Sequence, residues 1–191
     1  MNLSHDNLAI LLLCSDLAIP DRNAAKPLTP KEWLGVSQTL AKSPLKSPRA
    51  FFDSDPSDWV EHLGLDVPMA QRIKVLLGYG GQLGLILERL EQMGIWVTTR
   101  VEEAYPSRLK EVLGTRSPVA LFGAGDRSLM FSKAVAIVGS RNIDQDDIDF
   151  STRLAERCVE CGYNVVSGGA KGEDALITAI NDIAIVCEFY V

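Results

Sequence analysis

Five apolar residues in a row, Ala134-Val135-Ala136-Ile137-Val138, run straight into Gly139-Ser140-Arg141. The run is too short for an ordinary helix and lacks the polar alternation of a half-exposed strand. It predicts a strand buried on both faces of a parallel sheet. The pattern recurs at Asn164-Val165-Val166, which leads into Ser167-Gly168-Gly169-Ala170-Lys171-Gly172. Between the two, residues Asp147 to Cys161 have helical spacing, with Ile148, Leu154, Cys158 and Cys161 assigned inward and Gly162 as the stop. A strand–helix–strand succession puts both glycine-rich loops at the carboxyl edge of the sheet. Ligands of open α/β sheets bind at that edge.

The same alternation extends both ways. Ile95–Thr99 reads as a strand, Pro106–Val112 as a short helix, and Val119–Phe122 as a strand closed by Gly123-Ala124-Gly125-Asp126. Gly172–Ile180 reads as a helix and Ile183–Cys187 as a last strand. Residues 95–191 are therefore expected to form an α/β, Rossmann-like doubly wound parallel sheet that is incomplete. Residues 1–94 read differently, as short helices separated by Pro and Gly. The first is expected over Asp6–Leu17, and Thr29-Pro30-Lys31-Glu32 has the form of a capping box with Pro at the first helical position. Trp33, Val36, Ser37 and Leu40 follow on one face. Further helices are expected over Asp58–Leu63, from Asp66 to Leu77, and along Leu83, Ile86, Leu87 and Leu90, with Gly78-Tyr79-Gly80-Gly81 as a break. This predicts a small all-helical domain of the SAM or helix–hairpin–helix kind, with the domain boundary near Gly94–Arg100. Such modules touch DNA backbones in some proteins and other proteins in many more.

Charge narrows the options. The chain of 191 residues carries a formal net charge of −6, with 10 basic and 11 acidic side chains in residues 1–100 and 9 and 14 in residues 101–191. A generally basic nucleic-acid surface is excluded, so any DNA contact is expected in a local basic pocket. No apolar run approaches the roughly 20 residues of a membrane span, and acidic Asp6 precedes the short run Leu8–Cys14. No membrane partner is expected, and the expected compartment is the cytoplasm. Cys158 and Cys161 have C-x-x-C spacing, but no second pair exists and neither His5 nor His62 is near in sequence. They are read as helix residues, with no metal site.

The two loops carry the chemistry. Small residues let the backbone approach an anion, backbone N–H groups point at it, Arg141 offers a fork for phosphate oxygens, and Lys171 adds a point charge. The expected DNA- or phosphate-binding residues are Gly139, Ser140, Arg141, Ser167, Gly168, Gly169, Lys171 and Gly172. Neither loop is G-x-G-x-x-G or a P-loop, so no nucleotide cofactor is expected.

Ala134-Val135-Ala136-Ile137-Val138-Gly139-Ser140-Arg141, followed by Gly162-Tyr163-Asn164-Val165-Val166-Ser167-Gly168-Gly169-Ala170-Lys171-Gly172-Glu173-Asp174-Ala175, closely resembles the core of the DprA/Smf family. Tyr105-Pro106-Ser107-Arg108-Leu109 resembles the YPxxL element of that family. Pro118-Val119-Ala120-Leu121-Phe122 with Gly125-Asp126 resembles its P-x-x-L-[FY]…G-D element. The resemblance covers about residues 94–180. It implies a non-catalytic protein that binds single-stranded DNA in a Rossmann-like domain, supports DNA uptake in natural transformation and helps load the RecA recombinase, with a homodimer as a further expectation. The sequence departs from the family at Glu173, where an apolar residue is usual. Asp144, Asp146, Asp147 and Asp149 crowd the segment after Arg141 and suit a helix start. The chain ends after about four core strands, so a shortened member or a truncated or frameshifted product is expected. Two other readings stay open: an enzyme of the LOG phosphoribohydrolase type, of whose motif only Glu173 after a Gly-rich loop is present, and a nucleotide-sensing or inert remnant domain.

Overall fold

The computed structural model describes residues 3–21, 24–138, 142, 144–168 and 188–190. The chain is mixed α/β. In order it forms α1 (His5–Cys14), α2 (Pro30–Lys42), α3 (Pro56–Leu63), α4 (Val67–Leu77), α5 (Gly80–Gln92), β1 (Ile95–Thr99), α6 (Ser107–Leu113), β2 (Ala120–Ala124), β3 (Ala134–Ala136), α7 (Gln145–Glu160), β4 (Asn164–Val166) and β5 (Glu188–Tyr190). It divides into two compact units, Met1–Phe122 with Glu188–Val191, and Gly123–Cys187. The division lies downstream of the change of sequence pattern at Gly94. Expectations for Gly172–Ile180 and Ile183–Cys187 lie outside the described residues.

In the first unit the helix starts follow local chemistry. Thr29 accepts from the Glu32 amide, and the Glu32 carboxylate accepts from the Thr29 amide, closing the capping box of α2 with Pro30 at its first position. Asp55 and Asp58 do the same for α3, and Asp66 caps α4 by accepting from the Met69 amide at 2.8 Å. The break between α4 and α5 is shorter than the glycine run suggests. Gly80 and Gly81 already lie inside α5. Gly94, at φ +72°, takes the left-handed conformation that lets α5 stop and β1 begin within a few residues.

α1 sits between two apolar cores. Ile10 and Leu13 join Leu28, Trp33, Val36, Leu40, Phe51, Trp59, Ile73 and Leu76 in one. Leu11 and Leu12 join Leu83, Leu87, Val97, Ala120 and Phe122 in the other. A helix with apolar residues all round must be covered all round, and Ala9 to Leu13 are each at most 3% exposed. β1 and β2 help to supply that cover, which is why they belong to the same unit as the helices. The attachment is also polar. Asn7 of α1 donates to Glu102 at 2.7 Å and accepts from the Thr99 hydroxyl at 2.6 Å, while the Thr98 hydroxyl donates to Glu102. Asn7, Thr98 and Thr99 are essentially inaccessible to solvent. β2 lies between β1 and β5 and pairs antiparallel with β5, Leu121 opposite Phe189.

Arg72 of α4 fastens the segment before α2. Its guanidinium meets Glu32 through two bonds, 2.8 and 3.1 Å, donates from Nε to the Lys26 carbonyl at 2.8 Å, and also bonds the Pro27 carbonyl. The Arg72 hydrogen bond, helped by those from Thr29, holds the Glu32 carboxyl down to about 2. The folded value lies below the unfolded one, so this contribution to stability is complete above the ordinary glutamate range and disappears as pH falls through it toward about 2. The pair is part-exposed and screened, so it contributes about 1 kcal/mol. Arg72→Ala is expected to lower stability by that order at neutral pH and to flatten the acid side of the stability profile below about pH 4. Urea melts of parent and variant at several pH values check this, and parallel profiles would refute it.

Tyr105 anchors the turn between β1 and β2. It is 1% exposed, and its hydroxyl donates to the Pro118 carbonyl at 2.8 Å, with the Lys110 ammonium 5.3 Å from the ring centroid. Burial pushes the phenol above its ordinary range, so it stays a donor. Tyr105→Phe removes the hydroxyl alone and leaves a buried carbonyl without this donor. The expected cost is about 1–2 kcal/mol by equilibrium unfolding, and no change would remove Tyr105 from this role.

Candidate phosphate-binding edge

The second unit contains the candidate site. β3 and β4 pair in parallel, with Ala134 opposite Asn164, Val135 opposite Val165 and Ala136 opposite Val166. The ladder extends one step further, the Ile137 amide donating to the Val166 carbonyl at 3.0 Å. The chain therefore leaves both strands at one edge. This edge follows from two features of sequence. Val135, Ile137 and Val165 pack with Ala155 of α7, and Gly162, at φ +76°, ends α7 so that β4 can start beside β3.

Ser167 and Gly168 lie directly after β4 at this edge, Gly168 exposed and Ser167 half-buried. The Ser167 hydroxyl oxygen is enclosed and has no hydrogen-bond partner among the described residues. Gly139, Ser140, Arg141, Gly169, Lys171 and Gly172 lie outside the described residues. The parallel pairing thus brings the carboxyl ends of β3 and β4 together.

The expectation of a strand buried on both faces does not hold among the described residues. Ile137 is 6% exposed, but Val138 is 78% and Val166 53% exposed, and Ala134 and Ala136 are exposed as well. The physical reason is that α7 packs against this two-stranded sheet through Ala155, and no other described element makes extensive contact with β3 or β4. The inward face of α7 also differs. Ser151 and Ala155 are buried and Ile148 and Cys158 half-buried, whereas Leu154 and Cys161 face outward. Small residues at the contact let the helix lie close to the strands. Of the residues that the periodicity turned inward, Ile148 and Cys158 flank this contact and Leu154 lies on the neighbouring stripe.

The start of α7 is occupied by its own carboxylates. Asp144 accepts from the Asp147 amide at 3.0 Å, and Asp147 accepts from the Asp144 amide at 3.2 Å. Asp146 and Asp147 fill the first turn. These groups satisfy the Asp147 amide and the cap amide and complement the helix dipole, which makes the first turn of α7 a poor place for a second anion. Asp126, in the upstream motif, acts in a similar way. It accepts from the amide and hydroxyl of Ser128, both at 2.8 Å, and the amide bond leads in holding its carboxyl below the ordinary range.

Solved structures with a similar fold are known. DNA processing protein A from Streptococcus pneumoniae superposes with a TM-score of 0.57 over 94% of this chain at 19% identity. The chain spans about half of that protein's length, 54%. A structure of DNA processing protein A from Helicobacter pylori, described for its single-stranded DNA binding mode, matches 46% of this chain and 38% of its own, at 24% identity and a TM-score of 0.37. No curated protein matches the chain in sequence. Residues 96–185, which carry every motif described above, match the sequence profile of DNA recombination-mediator protein A. That segment belongs to the DNA recombination-mediator protein A family, the DprA/Smf family its motifs resemble.

Proposed function

We propose that this chain is a non-catalytic DNA-processing protein that holds single-stranded DNA by its phosphates at the edge formed after β3 and β4. The observation that carries this reading is the parallel register of β3 and β4, with an enclosed, unbonded Ser167 hydroxyl at the start of the second loop. In this reading Arg141 is the main phosphate anchor and Lys171 an auxiliary charge. Gly139, Ser140, Gly168, Gly169 and Gly172 let backbone amides close on the strand, and Ser167 donates a hydrogen bond. Family membership supports extending the reading to DNA uptake in natural transformation and to RecA loading in the cytoplasm. It also supports a Rossmann-like domain over residues 95–191 behind a SAM or helix–hairpin–helix-like domain over residues 1–94.

Phosphate contacts position a strand without reading bases. Binding is therefore expected to favour single strands, to show little sequence dependence and to weaken with salt, and each lost contact should reduce the salt slope by about 0.7. Arg141→Ala is expected to weaken binding of a labelled oligothymidylate about tenfold or more, and Lys171→Ala less, with little loss of stability. Fluorescence anisotropy with a melting curve on the same sample checks this. Unchanged affinity in a folded Arg141→Ala protein would remove the first loop from the site.

Ser167→Ala separates binding from folding. An enclosed hydroxyl without a partner contributes nothing to the free protein, so its removal is expected to leave stability unchanged or slightly raised. Affinity for the same oligonucleotide is expected to fall several-fold. A destabilised variant with parental affinity would make Ser167 a packing residue.

A further inference from the structure

The first unit contains a cleft that the phosphate-binding edge does not explain. Its volume is about 1110 Å³, and it is bounded by the segment before α2, the start of α2, and the turn leading into β2. Its buried wall is apolar. Leu28 and Pro118 are buried, and Leu34 and Val119 are half-buried beside them. Three exposed cations stand over this wall: Lys26 and Lys31 on one side and Arg116 on the other. None of the three has an ion-pair partner among the described residues. The cleft's carboxylates do not balance them. Glu32 is committed to Arg72, which leaves Asp16.

The wall is set before any ligand arrives. Arg72 bonds the carbonyls of Lys26 and Pro27 and the Glu32 carboxylate, and the Leu28 amide donates to the Leu13 carbonyl at 2.7 Å. On the other side the Ser117 hydroxyl donates to the Gly114 carbonyl at 2.8 Å, and Tyr105 holds the Pro118 carbonyl. Prolines 27, 30 and 118 stiffen both rims. A partner therefore meets a preformed surface and avoids part of the ordering cost of binding.

We propose that this cleft is a docking site for an acidic, leucine-rich peptide segment of a partner protein. Leucine side chains cover the Leu28–Pro118 wall, and carboxylates meet Lys26, Lys31 and Arg116. The charge balance selects an anionic partner, and the apolar wall selects one with aliphatic side chains. No Phe, Tyr or Trp lines the cleft among the described residues, so it lacks the stacking platform on which single-stranded nucleic acid binds. That absence favours a peptide over a second DNA segment.

The test uses the full chain, a short fluorescein-labelled peptide of the pattern Glu-Leu-Asp-Glu-Leu, its Leu-to-Ser counterpart, and labelled oligothymidylate. The Glu-Leu peptide is expected to bind, its Ser counterpart to bind at least about tenfold more weakly, and salt to weaken both. The double variant Lys31→Glu with Arg116→Glu is expected to lower peptide affinity about tenfold or more at an unchanged melting temperature, since both side chains are exposed. Lys31→Gln with Arg116→Gln should fall between. Oligothymidylate affinity should be unchanged in both variants, which keeps this outcome distinct from the outcome for Arg141. The proposal is overturned by no peptide binding to the parent, by equal binding of the two peptides, by indifference to charge reversal, or by loss of oligothymidylate binding in the charge-reversed protein.

Discussion

The arrangement of the first unit depends on one helix having no side to leave uncovered. α1 places Ala9, Ile10, Leu11, Leu12 and Leu13 in successive directions round its axis, and all five are buried. Two layers must therefore form, one from α2, α3 and α4 and one from α5, β1 and β2. Fully burying each such side chain contributes roughly 1.5–3 kcal/mol for the larger ones, so loss of either layer would expose most of the first unit's stabilising surface. The buried Asn7–Glu102–Thr98–Thr99 network adds direction to this apolar attraction. Its members are satisfied only in one register of β1 on α1.

This explains how the upstream family motifs work. Tyr105, Pro118 and Asp126 carry much of the resemblance, yet each acts within the fold. Tyr105 holds the Pro118 carbonyl, and Asp126 caps the turn over Arg127–Phe131. They fix the turn before β2 and the turn after it. The resemblance in this half of the family segment records how a chain is folded. Among the described residues, the Ser167 hydroxyl at the β3–β4 edge is a donor left over, and the proposed function rests on it.

Local chemistry was readable without the structure. The capping box at Thr29 and the glycine stop at Gly162 are short-range devices whose partners lie within a few residues. So was the β3–α7–β4 succession that places Ser167 and Gly168 beside the exit of β3. What failed needed non-local information. Periodicity gives the existence of an apolar stripe on α7 but not which neighbouring stripe touches the sheet. The close contact selected Ser151 and Ala155 over Leu154 and Cys161. The run Ala134–Val138 gives a strand, but whether both its faces are covered depends on which elements pack against it. The Arg72–Glu32 bond joins residues far apart in sequence and left no local signal at all.

The acidic start of α7 limits what the β3–β4 edge can do. In many α/β proteins the helix after a glycine-rich loop offers free amides to a phosphate. Here Asp144 has taken the Asp147 amide and Asp147 that of Asp144, and Asp146 and Asp149 add charge around them. Each carboxylate stabilises the helix start and repels an approaching anion. That repulsion acts on any phosphate within a Debye length of about 8 Å of them at physiological salt. Under the proposed function, a strand stays only where cations and backbone amides outweigh that repulsion, and the requirement falls on Arg141 and on the second loop. The same balance explains why binding there would be salt-sensitive and local, as a chain with net charge −6 requires. The helix start contributes stability to the fold, and in the proposed function affinity falls to the loops.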